Sequence, residues 1–189
     1  MKKLLLLYLY LLTIAASATG ICEPRAAGEA VVEAGNARFT VLTDRLIRME
    51  WSEDGVFEDR ASLAIVNRNL PVPSFSVSRS GGSLTLKTGK VTLKYSGGEF
   101  DENSLRVSFK MSGKTQVWYP GKEDKGNLLG TSRTLDKCKG FGQLNPGDPM
   151  EPGILSRDGW TIVDESSRHL FEKDDSDWGE WVTCRPEGK

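Results

Sequence analysis

The sequence predicts an all-β fold whose antiparallel strands form a sandwich or a barrel. Apolar and polar residues alternate in several short segments between positions 37 and 111. Such alternation turns one face of a strand toward a core and the other toward water. Residues that favour turns separate the segments, and no convincing amphipathic helix pattern follows the first eighteen residues.

The alternating segments follow one another with turns at 43–44, 79–83, 88–90 and 95–104. The positions predicted to face the core are Phe39, Val41, Ile47, Met49, Trp51, Phe75, Val77, Leu84, Leu86, Val91, Leu93, Tyr95, Leu105, Val107, Phe109 and Met111. Their polar neighbours, such as Arg38 and Thr40, are predicted to face water. After a loop rich in Gly and Pro from Trp118 to Pro152, the pair Ile162 and Val163 indicates a further strand.

The N-terminus predicts export. Lys2 and Lys3 precede an apolar run, and Ala16 and Ala18 supply the small residues of a cleavage site, so residues 1–18 are predicted to be a signal peptide. Residues 19–35 are predicted to be a flexible leader, and 36–189 a single domain. We therefore expect a periplasmic or extracellular protein.

Charge and cysteine content narrow the possible partners. Without Lys2 and Lys3 the chain has 23 basic and 26 acidic residues, a net charge of −3, which gives no reason to expect nucleic acid or a membrane surface as partner. Its cysteines are Cys22, Cys138 and Cys184. Cys138 and Cys184 could form a disulfide bridge or remain free thiols. No C-x-x-C motif is present, so the sequence does not support a zinc site.

The most suggestive polar residues follow the long loop. Arg157, Asp158 and Trp160 lie in one short loop, where Asp158 is expected either to hold an internal network or to contact a ligand. Asp164 and Glu165 have ordinary turn composition. Glycoside cleavage needs two cooperating carboxyl groups. Because this region offers one suitable acid, Asp158, we predict no catalytic residue in this chain.

Other chemistry has little support. His169 is the single histidine, with no nucleophile beside it in sequence. The acidic run at 174–180 lacks the spacing of a calcium loop and is interpreted as a solvated turn. Trp160 or Trp118 could stack on a sugar ring, although most aromatic residues of a sandwich are core. No metal and no cofactor are predicted.

Three stretches, "NLLGTSRTLD", "PGILSRDGW" and "IVDES", resemble the N-terminal domain of bacterial glycoside hydrolase family 31, the α-glucosidases and α-xylosidases. The resemblance runs from about Ala37 to the C-terminus, where "DWGEWVTCRPEGK" is similar to the segment before the catalytic domain. Its most specific motifs are Arg133 to Asp136 and Ser156 to Trp160.

The resemblance implies a β-sandwich of the galactose-mutarotase-like type (a supersandwich) that packs on a (β/α)8 barrel, in cis or from a neighbouring frame. Enzymes of that family hydrolyse α-glycosides with retention of configuration, and both of their catalytic residues lie in the barrel. This chain contains nothing similar to their nucleophile motif, W-x-D-M-N-E. We expect a non-catalytic domain that borders the site for an α-linked oligosaccharide through Arg157, Asp158 and Trp160. The alternatives are a free-standing carbohydrate-binding module and a small hydrolase that uses Asp158.

Overall fold

The computed structural model describes residues 23–62, 64–130, 150, 152–167 and 170–171. Within these residues the protein is all-β, as predicted, with two antiparallel sheets, one 3-10 turn at Gly28–Ala30 and no α-helix. This part of the chain contains no helix with the length and apolar character needed to cross a membrane. Several features identified in the sequence lie outside the described residues. These are the predicted signal peptide, Cys22, Cys138, His169, Cys184, the motif at 133–136 and the acidic run at 174–180.

The two sheets contain three and five strands, and every paired strand is a neighbour in sequence. The three-stranded sheet has the order β1 (Val31–Ala34), β2 (Ala37–Val41) and β3 (Ile47–Trp51). The five-stranded sheet has the order β4 (Phe75–Ser80), β5 (Ser83–Thr88), β6 (Val91–Tyr95), β7 (Leu105–Met111) and β8 (Lys114–Trp118). Strands β2 to β7 confirm the strands predicted from alternation. The core position predicted for Val77 of β4 is wrong, because its side chain is 38% exposed.

The core lies between the two sheets. Phe39 of β2 contacts Tyr95 of β6, with ring centroids 5.4 Å apart in an edge-to-face arrangement. Leu86 and Leu93 on the five-stranded sheet are fully buried in the same cluster. Burying a large apolar side chain contributes roughly 1.5–3 kcal/mol, so these inward-facing residues hold the sheets together.

Strand β1 differs from the prediction, because it lies in the segment expected to be a flexible leader. It pairs with β2 from Val31↔Thr40 to Ala34↔Ala37. Gly35, with φ of 59°, makes the tight turn between the two strands, a conformation that glycine adopts without steric cost. Val32 is then carried into the core, where it is 7% exposed.

The outer face of β2 also differs from the prediction. Arg38 and Thr40 are buried, although alternation placed them toward water. The segment after β3 covers this face, with the Phe57 ring 4.7 Å from the Arg38 guanidinium carbon. Alternation identifies the two faces of a strand, but it does not show that irregular chain covers the second one.

The prediction of a strand at Ile162 and Val163 is wrong. Neither residue belongs to a strand, and their exposed fractions are 46% and 43%. A strand needs a partner for its backbone hydrogen bonds. No described strand pairs with this segment, although its amino-acid composition favours a strand.

Candidate functional site

The chain beyond β8 forms a pair of loops joined by backbone hydrogen bonds. We call residues 124–130 and 152–161 the paired loops. The Leu128 N–H donates to the Leu155 carbonyl at 2.9 Å, and the Arg157 N–H donates to the Gly126 carbonyl at 2.8 Å. Asn127 and Ser156 form an antiparallel bridge between these two contacts. The loops are therefore fixed to each other although about 30 residues of sequence separate them.

Two side chains, Asp124 and Asn127, hold the paired loops from within. The Ser156 hydroxyl donates to Asp124 Oδ1 at 2.5 Å, and Asn127 Nδ2 donates to Asp124 Oδ2 at 2.8 Å. Asn127 also exchanges hydrogen bonds with the backbone of Gly153, donating at 3.0 Å and accepting at 2.8 Å. Sequence reasoning missed both residues, since their turn-like composition carries no sign of a partner on the second loop.

Asp158 belongs to this internal network. One oxygen of its carboxylate accepts the Gly126 N–H at 3.2 Å, and its own N–H donates to the Ser156 hydroxyl at 3.0 Å. The approach is close enough that a Cβ added to Gly126 would lie 2.7 Å from Asp158 Oδ1. This geometry fits the first of the two roles expected for Asp158, which is to position the loop.

The structure separates Arg157 from Trp160. Arg157 is exposed, and its guanidinium makes no hydrogen bond or ion pair with the described residues. Trp160 turns inward and packs against the core, with its ring 6.4 Å from that of Trp118. The Lys122 ammonium lies 5.9 Å from the Trp160 ring, within the range of a cation–π contact. The Arg157 side chain is thus unpaired within the described part of the chain, while Trp160 anchors the loop that carries it.

Gly159 explains why the loop can lie so close to the sheet. A Cβ at this position would lie 2.2 Å from the Met111 sulfur, and φ is 77°. Only glycine takes up this conformation without steric cost. The Asp158-Gly159-Trp160 turn therefore rests on the end of β7, with Trp160 against the core.

The paired loops present an exposed apolar surface. Ile154 and Leu155 are 75% and 65% exposed, and Leu128 and Leu129 on the other loop are 46% and 48% exposed. The backbone contacts above place these four residues together. We call Leu128, Leu129, Ile154 and Leu155 the apolar surface. These four side chains are exposed in the described part of the chain, and large exposed apolar patches are typical of interaction sites.

The two remaining acids of the region each have a structural partner. Asp164 is exposed and accepts the Ser166 N–H at 2.9 Å, the turn role expected for it. Glu165 accepts a hydrogen bond from the Ser62 hydroxyl, which ties it to the segment after β3. Within the described ranges, no group of three His, Cys, Asp or Glu side chains could hold a metal ion.

Comparison with protein-family models and with curated protein sequences finds no match to this chain.

Proposed function

We propose that this chain is a non-catalytic β-sandwich, the N-terminal part of an exported α-glycosidase of the family 31 type, which packs on the (β/α)8 catalytic domain and borders its sugar site. The observation that supports this proposal is the apolar surface. A domain that works alone gains nothing from exposing Ile154 and Leu155 side by side, whereas a domain that docks on another gains their burial.

The rigidity of the paired loops favours docking. The backbone of Leu128 and Leu155 is already fixed by a hydrogen bond, so association orders few additional torsions. Each large aliphatic side chain contributes roughly 1.5–3 kcal/mol when it is fully buried. Four such side chains, which are 46–75% exposed here, can supply much of the affinity of a domain interface.

Arg157 supplies the polar contact of the proposed interface. It follows Leu155 by two residues, and its guanidinium has no partner among the described residues, so it can donate hydrogen bonds to sugar hydroxyls or carboxylates at the edge of a neighbouring site. In this proposal Asp158 and Trp160 act indirectly, by fixing the loop that carries Arg157.

The test is a binding measurement between the purified chain and the catalytic barrel of a family 31 α-glucosidase. We expect association that is lost in the double variant Ile154→Asp/Leu155→Asp. Val56→Asp is the matched control, because Val56 is 52% exposed but lies outside the paired loops. No association of the wild-type chain, together with monomeric behaviour and no binding of an apolar dye, would overturn the proposal.

Activity assays test the non-catalytic part of the proposal. We expect no turnover of an aryl α-glycoside by the chain alone. Turnover that disappears in Asp158→Asn would instead support the small hydrolase. Turnover unchanged by Asp158→Asn would point to a contaminating enzyme, which a second purification of that variant would remove.

A free-standing carbohydrate-binding module is the second candidate, favoured by the grouping of Trp118 and Lys122 with Trp160, which lies on the loop that also carries the exposed Arg157. It predicts that malto- or xylo-oligosaccharides bind to the chain without a barrel. Arg157→Ala, which leaves the packing of Trp160 intact, should then weaken binding, whereas Arg45→Ala on an exposed turn should not.

A further inference from the structure

A cavity of about 740 Å³ lies against the outer face of the three-stranded sheet. Its volume is in the range typical of small-molecule sites. Five arginines contribute to its lining, and they come from the N-terminal segment, from β2 and β3, from the segment after β3 and from β4. These are Arg25, Arg38, Arg48, Arg68 and Arg79. We call this space the arginine cavity; none of its lining residues belongs to the paired loops.

Arg48 is buried in the cavity wall with hydrogen-bond donors to spare. Its side chain is 10% exposed. One nitrogen, Nη2, donates to the Glu58 carbonyl at 2.8 Å and pairs with Glu50 at 2.8 Å. Its Nε and Nη1 have no partner among the residues that the structure describes. A guanidinium presents five N–H donors in a planar fork, so Arg48 has unused capacity for a planar oxyanion.

Arg68 and Arg79 add positive charge without a paired carboxylate among the described residues. Arg68 is 2% exposed, and its Nη1 donates to backbone carbonyls, including that of Arg60 at 2.8 Å. Its Nε is buried with no partner in the described part of the chain. Arg79 donates to the Glu33 carbonyl at 2.9 Å. A buried cation without a counter-ion is costly, and a bound anion would offset that cost.

The nearby acids do not balance the arginines. Direct ion pairs with these arginines come from Glu50 and Asp59. Glu33 lines the cavity, and the charge of Glu165 acts on Arg48 and Arg68. Among the described residues, five cations therefore face four anions around the cavity.

The pKa of Arg48 is lowered in the folded protein. Burial is the main cause, and together with the positive charges of Arg68 and Arg38 it lowers the pKa to about 10, against the opposing effects of Glu50 and Glu165. The charged guanidinium is thus less favoured in the folded protein than in water. An anion in the cavity would favour it.

We propose that the arginine cavity binds a small oxyanion, a molecule that bears a carboxylate, sulfate or phosphate group, with the free edge of Arg48 as the main donor. Arg79 and Arg25, which are exposed and line the cavity from separate segments, add positive charge at its opening. Neutral sugars lack the charge that would compensate these arginines.

The test is calorimetric titration of the full chain at low ionic strength with phosphate, sulfate, glucuronate and, as the uncharged comparison, glucose. We expect saturable binding of at least one anion and none of glucose. The anion that binds most tightly distinguishes a carboxylate ligand from a sulfate or phosphate. Arg48→Gln should weaken its binding at least tenfold, since charge-assisted hydrogen bonds contribute strongly. Arg45→Gln, on an exposed turn outside the cavity, should leave it unchanged.

Arg79→Gln serves as a second variant, because Arg79 is exposed and its removal does not break a buried ion pair. It should weaken binding while thermal unfolding stays as in the wild type. Three results would overturn the proposal: no saturable binding of any anion, binding that neither variant weakens, or equal weakening by Arg45→Gln.

Discussion

Arg38 and Glu50 lie directly opposite each other on β2 and β3 and form two parallel hydrogen bonds, from Nε to Oε2 at 2.8 Å and from Nη2 to Oε1 at 3.0 Å. Their side chains are 9% and 14% exposed. Glu50 also pairs with Arg48 at 2.8 Å. One carboxylate is thus shared between two largely buried guanidinium groups on the outer face of the three-stranded sheet.

Replacing Glu50 with Gln should destabilise the protein substantially. Breaking a buried pair leaves an uncompensated charge and costs about 3–5 kcal/mol. Urea denaturation measures the free energy of unfolding. Glu53→Gln, on the exposed turn that follows, is the control and should change it by less than about 0.5 kcal/mol. Equal effects of the two substitutions would show that the pair contributes little.

Gly126→Ala should displace the loop that carries Arg157. The new Cβ would lie 2.8 Å from the backbone nitrogen of Asp158, which cannot move as easily as the end of a side chain. We expect a loss of about 1–3 kcal/mol, typical of overpacking, and faster tryptic cleavage after Arg157. Gly28→Ala is the matched control, since a Cβ there meets no atom within 4 Å. Unchanged cleavage in Gly126→Ala would mean that the paired loops are not rigidly joined.

Asp101 should make stability depend on acidic pH. Its carboxylate accepts backbone N–H groups from Ser104 at 2.6 Å and Asn103 at 2.7 Å, which hold its pKa below the ordinary 3.8. A carboxyl whose pKa is lower in the folded state contributes stability above the unfolded value, and this contribution is lost as the pH falls below 3.8. The advantage of the wild type over Asp101→Asn should therefore shrink with acidification. Parallel denaturation of Glu102→Gln is the control, and an advantage independent of pH would contradict the assignment.

Leu93→Ala should test the contact between the sheets. Leu93 is fully buried in the core, and deleting such a side chain costs about 2–5 kcal/mol through lost transfer free energy and the cavity that remains. Val77→Ala on strand β4, where Val77 is 38% exposed, should cost far less. Similar losses from both substitutions would mean that the core does not close around Leu93.

Alternation was sufficient to predict six strands, because inward-facing residues such as Phe39 and Leu93 repeat with the period of the strand. It could not find β1, since Val31 to Ala34 is too short to show a pattern. Nor could it foresee the burial of Arg38, because the segment that covers Arg38 has no periodicity of its own.

Sequence reasoning went less far at the candidate site. It selected the loop with Arg157, Asp158 and Trp160, and it left two roles open for Asp158. The contact between Asp158 and Gly126 spans 32 residues. Local composition does not encode such a pairing, so Asp124 and Asn127 could not be recognised as the residues that join the loops.

The order of the strands also determines how the chain can fold. Both sheets are meanders in which each strand pairs with the one just before it. Each hairpin can form within microseconds and without waiting for distant sequence. A chain that emerges N-terminus first can therefore complete the three-stranded sheet before β4 appears. The two sheets come together when Phe39 meets Tyr95, and we expect this step to limit the folding rate.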